Sequence, residues 1–147
     1  MTPPPALQTE FVLEARVNCD PLLVIGASKS GKRQLIPITG GEFAGPAIKG
    51  RVLSGGADWQ LVRPDGVTEI VARYTLQTHD GVNISVVNRG IALYPPAFEK
   101  VYLRTTPEFE APSESVYAWL NKSIFVGTVE VISRRPLIVS VKVYRVL

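Results

Sequence analysis

Counting along the chain brings a carboxylate, a phenol and two amides together in an otherwise apolar setting. The stretch Gly55-Gly56-Ala57-Asp58-Trp59-Gln60-Leu61-Val62-Arg63-Pro64-Asp65-Gly66, followed by Ala72-Arg73-Tyr74-Thr75-Leu76-Gln77-Thr78-His79-Asp80-Gly81, reads as three antiparallel strands joined by two Asp-Gly turns. Pro64-Asp65-Gly66 suits a type I turn closed by a Gly in a left-handed bulge, and His79-Asp80-Gly81 can do the same. On that register Gln60 pairs with Ile70, Asp58 with Ala72, Ala72 with Asn88, Tyr74 with Val86 and Leu76 with Ile84. One face then holds Ile70, Ala72, Tyr74, Leu76, Val82, Ile84 and Val86. The other holds Arg73, Thr75, Gln77, Asn83 and Ser85. A slip of one residue mixes the two faces of the second hairpin. The apolar face also carries Asp58, Gln60 and Asn88, with Asp58 and Asn88 flanking the small Ala72 and Tyr74 one step along. A buried carboxylate is costly unless paired. Asp58 is therefore either a corner that accepts loop N–H groups behind Gly55-Gly56 or an acid–base group of raised pKa, with Tyr74 and Asn88 beside it.

Other side chains are weighed against plainer roles. Trp59 and Arg73 fall on the opposite face, where a surface Arg stacked on a Trp is the simple reading; as rim residues they would touch a substrate. In Tyr102-Leu103-Arg104-Thr105-Thr106-Pro107-Glu108-Phe109-Glu110, Tyr102 and Arg104 share a face. An inward Arg104 would need an anion, either Glu110 or a ligand acid or enolate. Trp119 is a core plug or a lid. Gly26-Ala27-Ser28-Lys29-Ser30-Gly31-Lys32-Arg33 is one residue from a phosphate-binding loop, but Arg33 stands where Ser or Thr would ligate magnesium. The following Gln34-Leu35-Ile36-Pro37-Ile38 reads as a strand, not a helix, so a basic hairpin tip is expected. His79, the sole histidine, lies in a turn, and with one cysteine, Cys19, no Cys/His metal site is expected.

The elements that must position these groups are strands. Alternation or short apolar runs recur near 11–17, 22–26, 33–39, 47–53, 57–63, 67–78, 82–89, 100–106, 123–132 and 137–147, separated by Gly, Pro, Asp or Ser. Ser113-Glu114-Ser115-Val116 opens one short helix near 114–121, with Val116, Trp119 and Leu120 on one face. Residues 1–9 form a flexible Pro-rich lead-in, and 10–147 a single domain. Such a pattern predicts an all-β fold, a sandwich or, since closure removes exposed edges, a closed or nearly closed antiparallel barrel. The chain has 147 residues and a net charge of only +3 with scattered basic residues, which argues against a nucleic-acid role. No apolar run is long enough to span a membrane. The absence of a signal-like segment at Met1–Pro5 and the lone cysteine read as cytoplasmic.

Six ordered motifs carry a resemblance over about residues 10–147: Gly41-Glu42-Phe43-Ala44-Gly45-Pro46 with Gly50; Gly-Gly-Ala-Asp-Trp-Gln at 55–60; Arg-Pro-Asp-Gly at 63–66; Ala-Arg-Tyr-Thr-Leu at 72–76; Tyr-Leu-Arg-Thr at 102–105 with Pro107 and Phe109-Glu110; and Trp119-Leu120-Asn121. Together they resemble the domain of unknown function 3237 family. The resemblance implies a small antiparallel β-barrel, lipocalin-like or cyclase-like in outline. It implies little about activity, although members near natural-product genes look like candidates for cyclase or isomerase work on polyketide- or terpenoid-like substrates. The positions it marks are Asp58, Trp59, Arg73, Tyr74, Arg104, Glu110, Trp119 and Asn121. The segment Ile91–Lys100, with Tyr94-Pro95-Pro96, departs from the family by being short and is expected to shape the pocket mouth.

These readings combine into one expectation: a cofactor-independent isomerase, lyase or cyclase whose pocket holds a small hydrophobic molecule. Asp58, Tyr74 and Arg104 are its catalytic candidates, and Trp59, Gln60, Arg73, Asn88, Glu110 and Trp119 its substrate-binding candidates. No metal, nucleic acid or membrane is expected, and a homodimer or larger homo-oligomer is left open. A non-catalytic carrier and a structural module with a filled barrel are the alternatives.

Overall fold

A computed structural model describes residues 1–94 and 100–147. Ten strands follow in order: β1 (Thr9–Cys19), β2 (Leu23–Ser28), β3 (Gly31–Ala44), β4 (Lys49–Val52), β5 (Gly56–Val62), β6 (Thr68–Thr78), β7 (Asn83–Leu93), β8 (Tyr102–Glu110), β9 (Phe125–Arg134) and β10 (Leu137–Val146). Every pairing is antiparallel, and the ring closes where β1 meets both β10 and β3. Eight strands make the ring, because β4 and β5 together fill one place between the long strands β3 and β6. This is the expected antiparallel barrel. β2 lies outside the ring, paired with β3 in a hairpin whose tip is Lys29-Ser30, so the glycine- and lysine-rich segment opens no helix. No helix among the described residues is long and apolar enough to cross a membrane.

The register of β5, β6 and β7 follows from the two turns. The Arg63 N–H donates to the Val67 carbonyl at 2.9 Å and the Thr78 N–H to the Val82 carbonyl at 2.9 Å. Gly66 and Gly81 take the left-handed bulge position, with φ of +87° and +86°. Asp58 accordingly pairs with Ala72, Ala72 with Asn88, Gln60 with Ile70, Tyr74 with Val86 and Leu76 with Ile84, as counted from the sequence.

The barrel is filled at one end only. Leu13, Leu76, Ile84, Leu120 and Phe125 are almost wholly buried there, and the Phe109 and Phe125 rings meet edge to face at 5.0 Å. The expected short helix is a 3-10 turn, Ala118–Lys122, that closes this end. Its buried side is Tyr117 and Leu120 rather than Val116, which is 77% exposed. The Tyr117 hydroxyl donates to Asp80 at 2.7 Å, tying the plug to the second Asp-Gly turn. The Asn121 amide clamps both backbone groups of Ala111, at 2.8 and 2.9 Å.

Two glycines separate conformational from steric demands. Gly66 has open space around it and needs only its left-handed φ, whereas a Cβ on Gly56 would collide with the Arg73 carbonyl and lie 2.7 Å from the Tyr74 Cβ. Gly66→Ala is therefore expected to cost about 1 kcal/mol, lowering Tm by roughly 2–4 °C. Gly56→Ala should cost at least twice as much, because β5 must move off β6. Equal losses in thermal melts of the two variants would contradict this account.

Candidate functional site

The end of the barrel opposite the plug contains a cavity of about 120 Å³. Its wall is built from inward positions of eight strands, β1, β3 and β5 to β10, and is mostly aliphatic, with Ile36, Ile38, Ile70, Leu103, Val129 and Val139 prominent. Into this apolar space project Asp58, Gln60, Tyr74 and Asn88, four residues singled out from the register. Cys19, Tyr94 and Thr105 join them.

Asp58 dominates the electrostatics. Its Oδ2 accepts from Gln60 Nε2 at 2.7 Å, and Gln60 Oε1 accepts from Gln34 Nε2 at 2.8 Å, so a chain of two amides fixes the carboxylate plane. Its Oδ1 is enclosed and has no partner. Burial pushes the Asp58 carboxyl up to about 6, and hydrogen bonds from Gln60 and the Val71 backbone pull it only part of the way back. The same charge acts outward. Burial and the Asp58 carboxylate raise the Tyr74 phenol. Burial, then Asp58 and Asp20, push the Cys19 thiol up to about 11. Tyr94 is raised by burial and Asp58. The phenols and the thiol therefore stay protonated near neutral pH, leaving the carboxylate as the group able to change its protonation state there.

Two more acceptors point into the protein without partners. Asn88 Oδ1 and Thr105 Oγ1 are both buried and unpaired, and both residues line the cavity. Among the described residues no group of three or more His, Cys, Asp or Glu is placed to hold a metal.

Five candidates lie elsewhere. The alternation of β8 turns Leu103, Thr105, Pro107 and Phe109 inward, so Arg104 and Glu110 face solvent. Arg104 stacks over Tyr102 at 5.7 Å, which corrects the expectation that it steadies an anion in the pocket. Glu110, exposed on the same outer face, does not line the cavity either. The face assignment failed because the inward register of β8 contains a Thr and a Pro, which dilute its apolar signal. Trp59 is 47% exposed and Arg73 is exposed, both on the outer face of their strands. The cation–π pair among the described residues is Arg104 with Tyr102, not Arg73 with Trp59. Trp119 packs against the plugged core, away from the cavity.

Cys19 and Thr105 are not among the residues singled out from the sequence. Thr105 alternates with Leu103 and Phe109, but which face of β8 is inward follows from its pairing with β7. Cys19 ends the Val17–Cys19 alternation, but a lone cysteine on a strand gives no chemical signal by itself. The expectation that Tyr94-Pro95-Pro96 shapes the pocket mouth is met at Tyr94, which lines the cavity; Pro95 and Pro96 lie outside the described residues.

A family model described as "Protein of unknown function (DUF3237)" matches residues 7–146. A UPF0311 protein of Rhodopseudomonas palustris is 37% identical over 136 residues, covering 84% of this chain and 88% of the relative. A crystal structure of a conserved protein of unknown function from that organism superposes with a TM-score of 0.86 at 35% identity, covering 98% of this chain and all of the other. A beta-barrel like protein from Acinetobacter baumannii gives 0.83 at 31% identity, with complete coverage of both chains. More distantly, the "Hydroalkoxylation enzyme phnH" of Penicillium herquei is 32% identical over 127 residues, 86% of this chain and 75% of the relative. A crystal structure of an enzyme from Penicillium herquei gives a TM-score of 0.75 at 26% identity, covering 100% of this chain and 99% of that one. With a family match spanning nearly its whole length and relatives above 30% identity over most of it, the chain belongs to the DUF3237 family of β-barrel proteins.

Proposed function

We propose that this barrel is a cofactor-independent acid–base enzyme, an isomerase, lyase or cyclase, acting on a small hydrophobic metabolite held in the cavity. One observation carries the reading: the Asp58 carboxyl, pushed up to about 6 by burial and held by a hydrogen bond from Gln60, lines an apolar cavity. Such a group is poised for proton transfer near neutral pH. The name of the Penicillium herquei relative supports the same chemistry, since a hydroalkoxylation adds an O–H across a C=C bond. In that reaction the Asp58 carboxylate takes the hydroxyl proton, the substrate oxygen closes on one alkene carbon, and the new carboxylic acid returns the proton to the carbanion or enolate at the other. The O–H and C=C π bonds break, C–O and C–H bonds form, and the carboxylate is regenerated. Gln60 and Gln34 hold the carboxylate in line, and the Tyr74 phenol is a neutral donor within the same cavity.

General acid–base action of this kind contributes roughly 10²–10⁴-fold. Asp58→Asn should lower kcat by that factor on a small conjugated test substrate, an ortho-hydroxyphenyl enone closing to its chromanone. Acting as the base, Asp58 gives wild-type kcat/KM that rises with pH and levels off above about 6. A variant within tenfold of wild type, or a profile without that step, would sink the assignment. Ligand binding with no turnover by either protein would favour a carrier instead.

The raised carboxyl also has a signature in stability. Its native pKa of about 6 exceeds the ordinary 3.8 of an exposed Asp, so the folded chain holds this proton more tightly than the unfolded chain. The contribution is most favourable below about pH 4, is lost as pH rises toward 6, and is constant above. Asp58→Asn removes that slope. Relative to wild type, the variant should gain roughly 2–3 kcal/mol of stability between pH 4 and pH 8, measured by denaturant unfolding at both values. A difference between the two proteins that stays flat with pH would mean that Asp58 is not held in a raised state.

A further inference from the structure

The basic hairpin tip expected from the sequence has no part in the chemistry at Asp58, and the fold gives it a companion. Ile36 and Ile38 line the cavity, and β3 reaches them from Gly31, so the β2–β3 tip at Lys29-Ser30 stands on the rim of the unplugged end. Val129, Val131, Leu137 and Val139 line the same cavity, so the β9–β10 tip, Arg134-Arg135-Pro136, stands there too. Cys19 at the end of β1 pairs with Leu137, which makes that tip the neighbour of the link into β2. The pairs Lys29/Lys32 and Arg134/Arg135 lie near opposite ends of the chain and read as scattered in the sequence. Barrel closure collects them on one rim.

Both hairpins are apolar where they leave the barrel. Leu22, Leu23, Val24 and Ile25, at the start of the first, are 44% to 62% exposed. Val131 and Ile132 on β9 are each 44% exposed, and Val131 also lines the cavity, so the apolar rim is continuous with the pocket. Among the described residues β2 pairs with β3 alone, and its six residues carry no charged side chain. Edge strands that face water are ordinarily blunted by charged side chains, and clustered exposed apolar side chains mark a surface that is covered in use. The charge around the rim indicates by what. Lys29, Lys32, Arg134 and Arg135 are exposed and, among the described residues, make no ion pair. At the β5–β6 turn on the same end, Arg63 holds Asp65 at 2.6 Å and Glu69 at 3.4 Å. Asp20 and Glu130 are the nearby carboxylates left against those four cations among the described residues, so the rim is positive.

We propose that the unplugged end of the barrel docks on an anionic lipid surface, with β2 and the β9–β10 hairpin set into the headgroup layer and the cavity mouth facing the bilayer. Apolar side chains flanked by cations are the composition that interfacial binding needs, because buried apolar area and attraction to anionic lipid add together. The expectation of no membrane partner rested on the lack of an apolar span, which surface docking does not require. A second copy laid mouth to mouth would bring the same cations against one another, so the charge favours lipid over self-association. A hydrophobic compound dissolved in the bilayer then reaches the cavity without crossing water. That last step rests on the acid–base reading, whereas the docking surface is tested by binding alone.

Co-sedimentation of the full chain with lipid vesicles isolates the surface. Wild type should bind vesicles of phosphatidylcholine with about 30% phosphatidylserine about tenfold or more above phosphatidylcholine alone, and salt at about 0.5 M should erase most of that preference. Lys29→Gln with Lys32→Gln, and separately Arg134→Gln with Arg135→Gln, should each lower binding by about 25-fold, about fivefold per cation. Val24→Ser with Ile25→Ser should lower it about tenfold with charge and Tm unchanged. Lys122→Gln, a cation lost at the plugged end, should leave it within about twofold. Docking is overturned if wild type shows no preference for the anionic vesicles, or if either cation pair or the Val24→Ser, Ile25→Ser pair binds as wild type does. It is also overturned if Lys122→Gln weakens binding as much as a rim substitution. A dimer in sedimentation equilibrium without lipid that Val24→Ser with Ile25→Ser abolishes overturns it as well, since the apolar rim then covers a second copy. Asp58→Asn should bind vesicles as wild type does, and preserved binding with undiminished turnover in that variant fails the acid–base reading alone.

Discussion

An ionisable carboxylate facing the interior of a small barrel is the constraint on which the other features depend. Placing Asp58 there is unfavourable, and the surrounding structure makes it tolerable without neutralising it. Gln60 donates one hydrogen bond and is itself oriented by Gln34. No cation is supplied: among the described residues the cavity lining includes no Lys, Arg or His. A carboxylate whose role was to fix a corner would be expected to have both oxygens bonded. One oxygen of Asp58 is left without a hydrogen bond, and burial raises the carboxyl pKa.

Backbone geometry holds that constraint in place. Because side chains alternate across a strand, a slip of one residue between β5 and β6 would turn Asp58 outward and Trp59 inward. The slip is resisted by the two bulged turns at Gly66 and Gly81 and by the close fit of Gly56 against Tyr74. At the far end, Tyr117 bonded to Asp80 anchors the 3-10 plug to the second of those turns. The filled half of the barrel thus fixes the register, and the hollow half receives the consequences.

That division explains what was legible in the sequence. The strands, the register of β5 to β7 and the inward set Asp58, Gln60, Tyr74 and Asn88 depend on local alternation and turn chemistry, both written in consecutive residues. Arg104 and Glu110 were misplaced because nothing local states which face of β8 is inside. That face is decided by pairing with β7, in which Asn88 meets Pro107 and Gly90 meets Thr105. Thr105 was missed for the same reason: its inward place follows from pairing with Gly90 on β7 and Gly127 on β9, not from its own segment. The cavity depends on which half of the barrel the plug fills, a property of closure rather than of any one segment.

Charge conservation narrows what such a site can do. With Asp58 ionised and no cation in the described lining, the cavity holds one negative charge. A reaction that brought in a second charge would meet both a desolvation penalty and repulsion from the first. Proton transfer from a neutral substrate to Asp58 avoids this, because the charge passes to the substrate while the carboxyl becomes neutral. The total stays constant, and the later return of the proton restores the starting state. Neutral groups rather than cations face a transient oxyanion, the Tyr74 phenol among them. These favour neutral substrates that pass through a single delocalised anion, as enones and phenols do. They disfavour phosphorylated or carboxylated substrates, for which an inward arginine would have been required.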